Sequence, residues 1–114
     1  MARKIFFARD WNGEGKNFYE IYTTVCLGYT FAVGQGIEGD PNFSIFRVTN
    51  DGTRDQYKIL DEYITAGDTV EQVQKGVVTL LQREMKREIK KGLMTRIEAG
   101  MLTVETVEKW RKHL

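Results

Sequence analysis

The hydrophobic period of this chain changes once, between residues 64 and 70, and that change limits the fold more than any motif does. Before it, apolar and β-branched residues alternate with polar ones. After it, they recur every three or four positions. Alternation marks a half-buried strand, and the longer spacing marks an amphipathic helix. The segments 3–9 (RKIFFAR), 18–27 (FYEIYTTVCL), 29–34 (YTFAVG), 43–49 (FSIFRVT) and 56–64 (QYKILDEYI) read as strands. In 18–27, Tyr19, Ile21, Thr23, Val25 and Leu27 share one face, taken as the core side, and Phe18, Glu20, Tyr22, Thr24 and Cys26 share the other. The glycines and proline of 35–42 predict a loop, and Asn50-Asp51-Gly52-Thr53 predicts a hairpin turn.

Past the change, Asp68 or Thr69 offers a helix cap, with Glu71 or Gln72 three residues on. Val70, Val73, Val77 and Leu81 form a stripe that Met85, Ile89, Leu93 and Ile97 continue. A helix over 69–99 would be about 46 Å long, beyond the roughly 30 Å of a small domain. Either it breaks near Gly92 or its far end meets a partner. Gly100 is the expected C-cap. Thr103 then caps a last helix with Val104, Val107, Trp110 and Leu114 on one face. The fold class is therefore α+β: one domain over 1–114, with an N-terminal antiparallel sheet of four or five strands (1–66) and two or three C-terminal helices (67–114), the first long.

The formal charge of +1 conceals an asymmetry. Residues 1–82 carry 8 basic and 11 acidic side chains, a net of −3, and 83–114 carry 9 and 5, a net of +4. Arg83, Lys86, Arg87, Lys90, Lys91 and Arg96 make the long helix basic. Glu84 precedes Arg87 by three and Glu88 precedes Lys91 by three, the pattern of a solvated helix rather than of a nucleic-acid reader. No apolar run approaches the roughly 20 residues that span a bilayer. The apolar patch near the N-terminus is too short for a signal-peptide core, so a cytoplasmic protein is expected.

Catalytic chemistry finds little support. The chain has one histidine (His113), one serine (Ser44) and one cysteine (Cys26), and the last two fall in strands. Asp61 and Glu62 are adjacent, so on a strand they point to opposite faces. The expectation is a protein that is not an enzyme and needs neither cofactor nor metal.

The stretch Arg9-Asp10-Trp11-Asn12-Gly13-Glu14-Gly15-Lys16-Asn17 stands out between two strands. Asp10, Asn12, Glu14 and Gly15 match the first half of a calcium loop, but Ile21 stands where the bidentate glutamate is required. As a hairpin, Asn12-Gly13 supplies the left-handed backbone. As a ligand loop, Gly13 and Gly15 offer backbone N–H groups, Arg9 and Lys16 charge, and Trp11 a stacking face. Trp11 is expected to pack on something, either a ligand or the protein's own helix. The loop over 34–42 offers a second wall.

The run Ala8-Arg9-Asp10-Trp11-Asn12-Gly13-Glu14-Gly15 resembles the A-R-x-x-W-N-G-x-G stretch of a family of phage Thoeris anti-defence proteins, with one residue fewer before the tryptophan. Those proteins act as sponges for cyclic ADP-ribose signals. A second family of such sponges is similar in layout: an N-terminal antiparallel sheet, C-terminal helices and assembly into oligomers. The resemblance implies an anti-defence protein of phage or mobile-element type that sequesters a small nucleotide. Its ligand residues are Arg9, Trp11, Asn12, Gly13, Gly15 and Lys16, with Arg87, Lys90 and Arg96 of a C-terminal helix, own or neighbouring. A homo-oligomer built on a two-fold dimer is expected from the long apolar stripe. The competing reading is a protein-binding inhibitor of a host restriction or CRISPR effector, and a nucleic-acid-binding accessory protein is a third.

Overall fold

The computed structural model describes residues 4–26, 28–50, 52, 55–92, 95 and 98–101, without the side chains of Thr24 and Cys26. Expectations resting on Leu93, Arg96, Ile97, Thr103, Val104, Val107, Trp110, His113 and Leu114 lie outside the described residues.

Strands β1 (Ile5–Arg9), β2 (Gly15–Cys26), β3 (Tyr29–Gly36), β4 (Phe43–Asn50) and β5 (Gln56–Ile64) precede helix α1 (Val70–Lys90). Each strand pairs antiparallel with the next, and β5 returns to β1, so the sheet closes into a barrel. In a chain of five alternating strands the first and last run the same way. The closing seam is accordingly parallel, with Phe7, Ala8 and Arg9 opposite Gln56, Tyr57 and Lys58. The α+β order matches the sequence reading, but the sheet is not wholly antiparallel and has closed on itself.

Phe6, Ala8, Phe18, Ala32, Phe46 and Val48 fill the barrel. The Phe6 and Phe18 rings stack at 5.5 Å, and Phe46 meets Phe18 edge-on at 5.0 Å. In the first part of β2 this is the reverse of the expected facing, with Phe18 pointing inward at 3% exposure. Beyond Glu20 a bulge exchanges the faces, so Thr23 lies opposite inward-facing Ala32 as the alternation predicted, although Val25 near the strand's end is 59% exposed. Two bulges shape the barrel. One lies between Glu20 and Tyr22, and the other sets Arg47 and Val48 opposite Asp61 and Ile59, leaving Leu60 as the extra residue. A bulge moves the following side chains to the other face. Tyr57 and Ile59 thus join the interior cluster, while Tyr63 joins the outer one.

The outer face of β3 and β4, through Phe31, Val33 and Ile45, is covered by Val73, Val77, Leu80, Leu81 and Met85 of α1. Burying each of these large side chains contributes about 1.5–3 kcal/mol. Thr69 caps the helix, its Oγ1 accepting the Gln72 N–H at 3.2 Å, and the Gln72 side chain in turn accepts the Ala66 N–H at 3.3 Å.

At the far end the helix breaks near Gly92, the first of the two alternatives expected. The helix stops at Lys90, and Gly92 takes a left-handed φ of +76°. Thr95 and Glu98 then form a reciprocal cap, the Glu98 N–H reaching Thr95 Oγ1 at 3.2 Å and the Thr95 N–H reaching Glu98 Oε1 at 3.3 Å. That cap opens a second helical turn at 98–101, so Gly100 lies within a turn rather than ending the long helix. Met85 is 1% exposed, which means the sheet covers the stripe to that point within one chain. Ile89 is half-buried, and Ala99 packs back on the outer cluster. No described helix is long and apolar enough to cross a membrane.

Candidate functional site

The barrel leaves an opening beside the β1–β2 hairpin. β1 pairs with β5 only as far as Arg9 and Lys58, after which β1 turns back and β5 continues alongside β4. The hairpin tip and residues 59–62 of β5 therefore separate. A cleft of about 570 Å³ lies between them. Ala8, Phe18, Phe46, Ile59 and Leu60 supply apolar lining, Trp11 stands at the hairpin side, and Asp10, Glu14, Lys16, Asp61 and Glu62 supply charge.

Asp10 organises the hairpin. Its Oδ1 accepts the N–H of Asn12 at 2.9 Å and of Glu14 at 3.1 Å. Its backbone carbonyl accepts the N–H of Gly13 at 3.1 Å, and its own N–H donates to the Glu14 carbonyl at 2.7 Å. Gly13 alone carries the left-handed backbone, at φ +85°, with Asn12 in an ordinary conformation. Of the two N–H groups that the sequence reading offered to an anion, that of Gly13 is thus taken by the Asp10 carbonyl, while the Asp10 carboxylate holds those of Asn12 and Glu14. The same bonds turn Asp10 Oδ1 toward its own loop. Among the described residues no three metal-ligating side chains converge.

Gly15 is required by packing. A Cβ there would lie 2.4 Å from the Ala8 carbonyl oxygen and 2.7 Å from the Phe7 ring. Arg9 follows inward-facing Ala8 in the strand, so it projects from the other face; it is engaged in a contact of its own and does not line the cleft. Lys16 does line it, with Nζ 5.2 Å from the centre of the Phe18 ring. Trp11 is 83% exposed, so of the two expected partners the protein's own helix does not cover it.

Arg87 and Lys90 sit on α1 and do not line the cleft. Arg87 pairs with Glu84 at 3.1 Å, as its spacing predicts. Glu88, expected to serve Lys91, instead accepts the Tyr29 hydroxyl. The helix cation nearest the cleft is Arg83, whose Nη1 binds Asp61 Oδ1 at 3.1 Å and the Glu62 carbonyl at 3.3 Å. The loop over 34–42 forms a wall, but of a neighbouring cleft of about 350 Å³ that shares Gly15 and Lys16 and is also lined by Gly36, Ile37, Glu38 and Asp40.

Sequence reasoning missed Leu60, Asp61 and Glu62 as site residues. Adjacent residues on a strand face opposite ways, yet Asp61 and Glu62 both reach the cleft because it lies along the strand's edge rather than over one face. At that edge the Glu62 N–H is bonded to Asp61 Oδ1 at 2.9 Å and its carbonyl to Arg83. Side chains thereby occupy groups that a further strand would need.

The fold and site together define a small five-stranded barrel buttressed by one helix, with an amphipathic cleft at its parallel seam. No protein-family model, curated protein or solved structure matches the chain.

Proposed function

We propose that this chain is a non-enzymatic binding module that takes hold of another protein through the Trp11 cleft. The observation that carries the reading is Trp11 itself, 83% exposed on a hairpin pinned by Asp10. A large indole on a rigid support beside apolar lining is the form that interface anchors take. The partner class is a host defence effector of restriction or CRISPR type; the loop's resemblance to anti-defence sponges supports the anti-defence setting and, taken by itself, the nucleotide reading below. Affinity capture from bacterial lysate, followed by reconstitution with the purified captured protein, tests this. Binding that is lost on Trp11→Ala while the fold persists supports the reading, and binding undiminished by Trp11→Ala overturns it.

A second reading, sequestration of a cyclic nucleotide or cyclic ADP-ribose signal, draws on the cleft's size and on Trp11 and Lys16 lining it together. About 570 Å³ lies within the roughly 300–1,000 Å³ of small-molecule sites. Arg87 and Lys90 would then have to come from a neighbouring chain. Four lining carboxylates oppose a phosphate, so the protein partner is favoured. Calorimetry against a panel of cyclic nucleotides separates the two: affinity tighter than about 10 μM, a dissociation free energy near 7 kcal/mol, would reinstate the nucleotide.

The proposal includes self-association. Ile89 borders a shallow groove with Met85, Ala99 and Gly100, and Met101 beside it is 62% exposed. Light scattering that gives 13.2 kDa at every concentration removes it.

A further inference from the structure

Resting on the reading that the Trp11 cleft binds a protein, we infer that what the cleft receives is a lysine- or arginine-bearing segment of that partner, held by its side chains. Charge complementarity points there. Asp10, Glu14, Asp61 and Glu62 surround an apolar floor that has Lys16 as its only lining cation among the described residues. A long basic side chain has the matching form, an alkyl stem for Trp11 and Leu60 and a cationic head for the carboxylates. The cleft already hosts one such group, since the Lys16 ammonium rests on the Phe18 ring. Asp61 is already paired with Arg83 through Oδ1 and its Oδ2 is buried, so exposed Glu14 and Glu62 are the lining carboxylates that a cationic head would reach. Strand addition along β5 is disfavoured because the Glu62 N–H and carbonyl are already occupied. That leaves side-chain recognition.

The test uses the full chain carrying Trp110→Phe, so that Trp11 is its sole tryptophan, titrated with hexalysine and with hexaglutamate. Residues 1–82 carry a net of −3, so a polycation has some general attraction to the barrel half, and a charge change away from the cleft is the control for it. Hexalysine should shift the Trp11 emission and hexaglutamate should not. Glu14→Lys with Glu62→Lys should weaken hexalysine at least about tenfold. Asp68→Lys with Glu71→Lys, the same charge change at the start of α1, should alter it less than about twofold. The inference is overturned if hexalysine produces no shift, if hexaglutamate binds equally well, or if the α1 pair weakens binding as much as the cleft pair. Partner capture that depends on Trp11 but coexists with no hexalysine response removes the cation and leaves the Trp11 surface standing. Capture indifferent to Trp11→Ala removes the surface itself.

Discussion

Arg47 Nη2 lies 3.0 Å from Glu84 Oε2, tying β4 to α1 through a side chain that is 10% exposed. The guanidinium also stands 6.0 Å from the centre of the Tyr29 ring, and Glu84 pairs with Arg87 as well. Removing one partner strands a buried charge, which costs about 3–5 kcal/mol, whereas replacing both with apolar groups is close to neutral. Glu84→Ala should therefore destabilise by about that amount, and Arg47→Met with Glu84→Leu should recover most of it. Urea unfolding measures both. A loss below about 1 kcal/mol for Glu84→Ala would place the pair with ordinary surface ion pairs.

Burial, reinforced by the hydrogen bond to Glu88, raises the Tyr29 phenol well above the usual tyrosine range. The sign follows from the neutral form being favoured in the fold. Its contribution is complete below about pH 10, where unfolded tyrosine is protonated, and is lost as pH rises from there through the folded value. Unfolding free energy should fall more steeply above about pH 10 for the wild type than for Tyr29→Phe. Parallel slopes for the two would show that Tyr29 is not the titrating group.

Gly76 lets the helix lie close against the sheet. A Cβ there would lie 2.4 Å from Ile45 Cδ1 and 2.7 Å from Tyr63 Cδ1. Gly76→Val should cost about 1–3 kcal/mol by overpacking, despite the gain in helix propensity. Lys75→Ala, one residue along on the exposed side, should change stability by less than about 0.5 kcal/mol in the same thermal or urea unfolding series.

The two hairpin residues should separate cleanly. Trp11→Ala removes an exposed side chain and should change stability by less than about 0.5 kcal/mol. Asp10→Ala breaks two side-chain-to-backbone bonds and should cost about 1 kcal/mol. It should also weaken partner binding, because the hairpin would hold Trp11 less firmly. A Trp11→Ala loss as large as a core truncation, about 3–5 kcal/mol, would mean that the indole is structural.

The elements were legible because their periods are strong. Alternation located all five strands, and Thr69 with Gln72 located the helix start. What stayed hidden depends on single residues that change a face or a direction. Ile21 and Leu60 look like ordinary members of alternating runs, yet bulges there reverse the facing of the residues that follow and shape the barrel. The helix stop at Gly92 and the restart from Thr95 to Glu98 were written in the sequence as a C-cap glycine and a capping box, but the apolar stripe ran across both. At the site, Trp11 and Lys16, which the loop reading grouped together, line one cleft. The acidic wall from β5 was not, since it comes from residues about fifty positions away and depends on where β1 turns back. The loop's glycines and asparagine looked like ligand groups because an anion-binding loop and one closed on its own aspartate draw on the same residue types.

The central claim is that binding happens at the parallel seam, between the Trp11 hairpin and β5. Hydrogen exchange on the reconstituted complex with the captured protein measures this directly, residue segment by segment. Added protection should concentrate in 10–18 and 57–62, with the exposed face of α1 unchanged. Protection confined to α1, with the hairpin exchanging as in the free protein, would contradict the account.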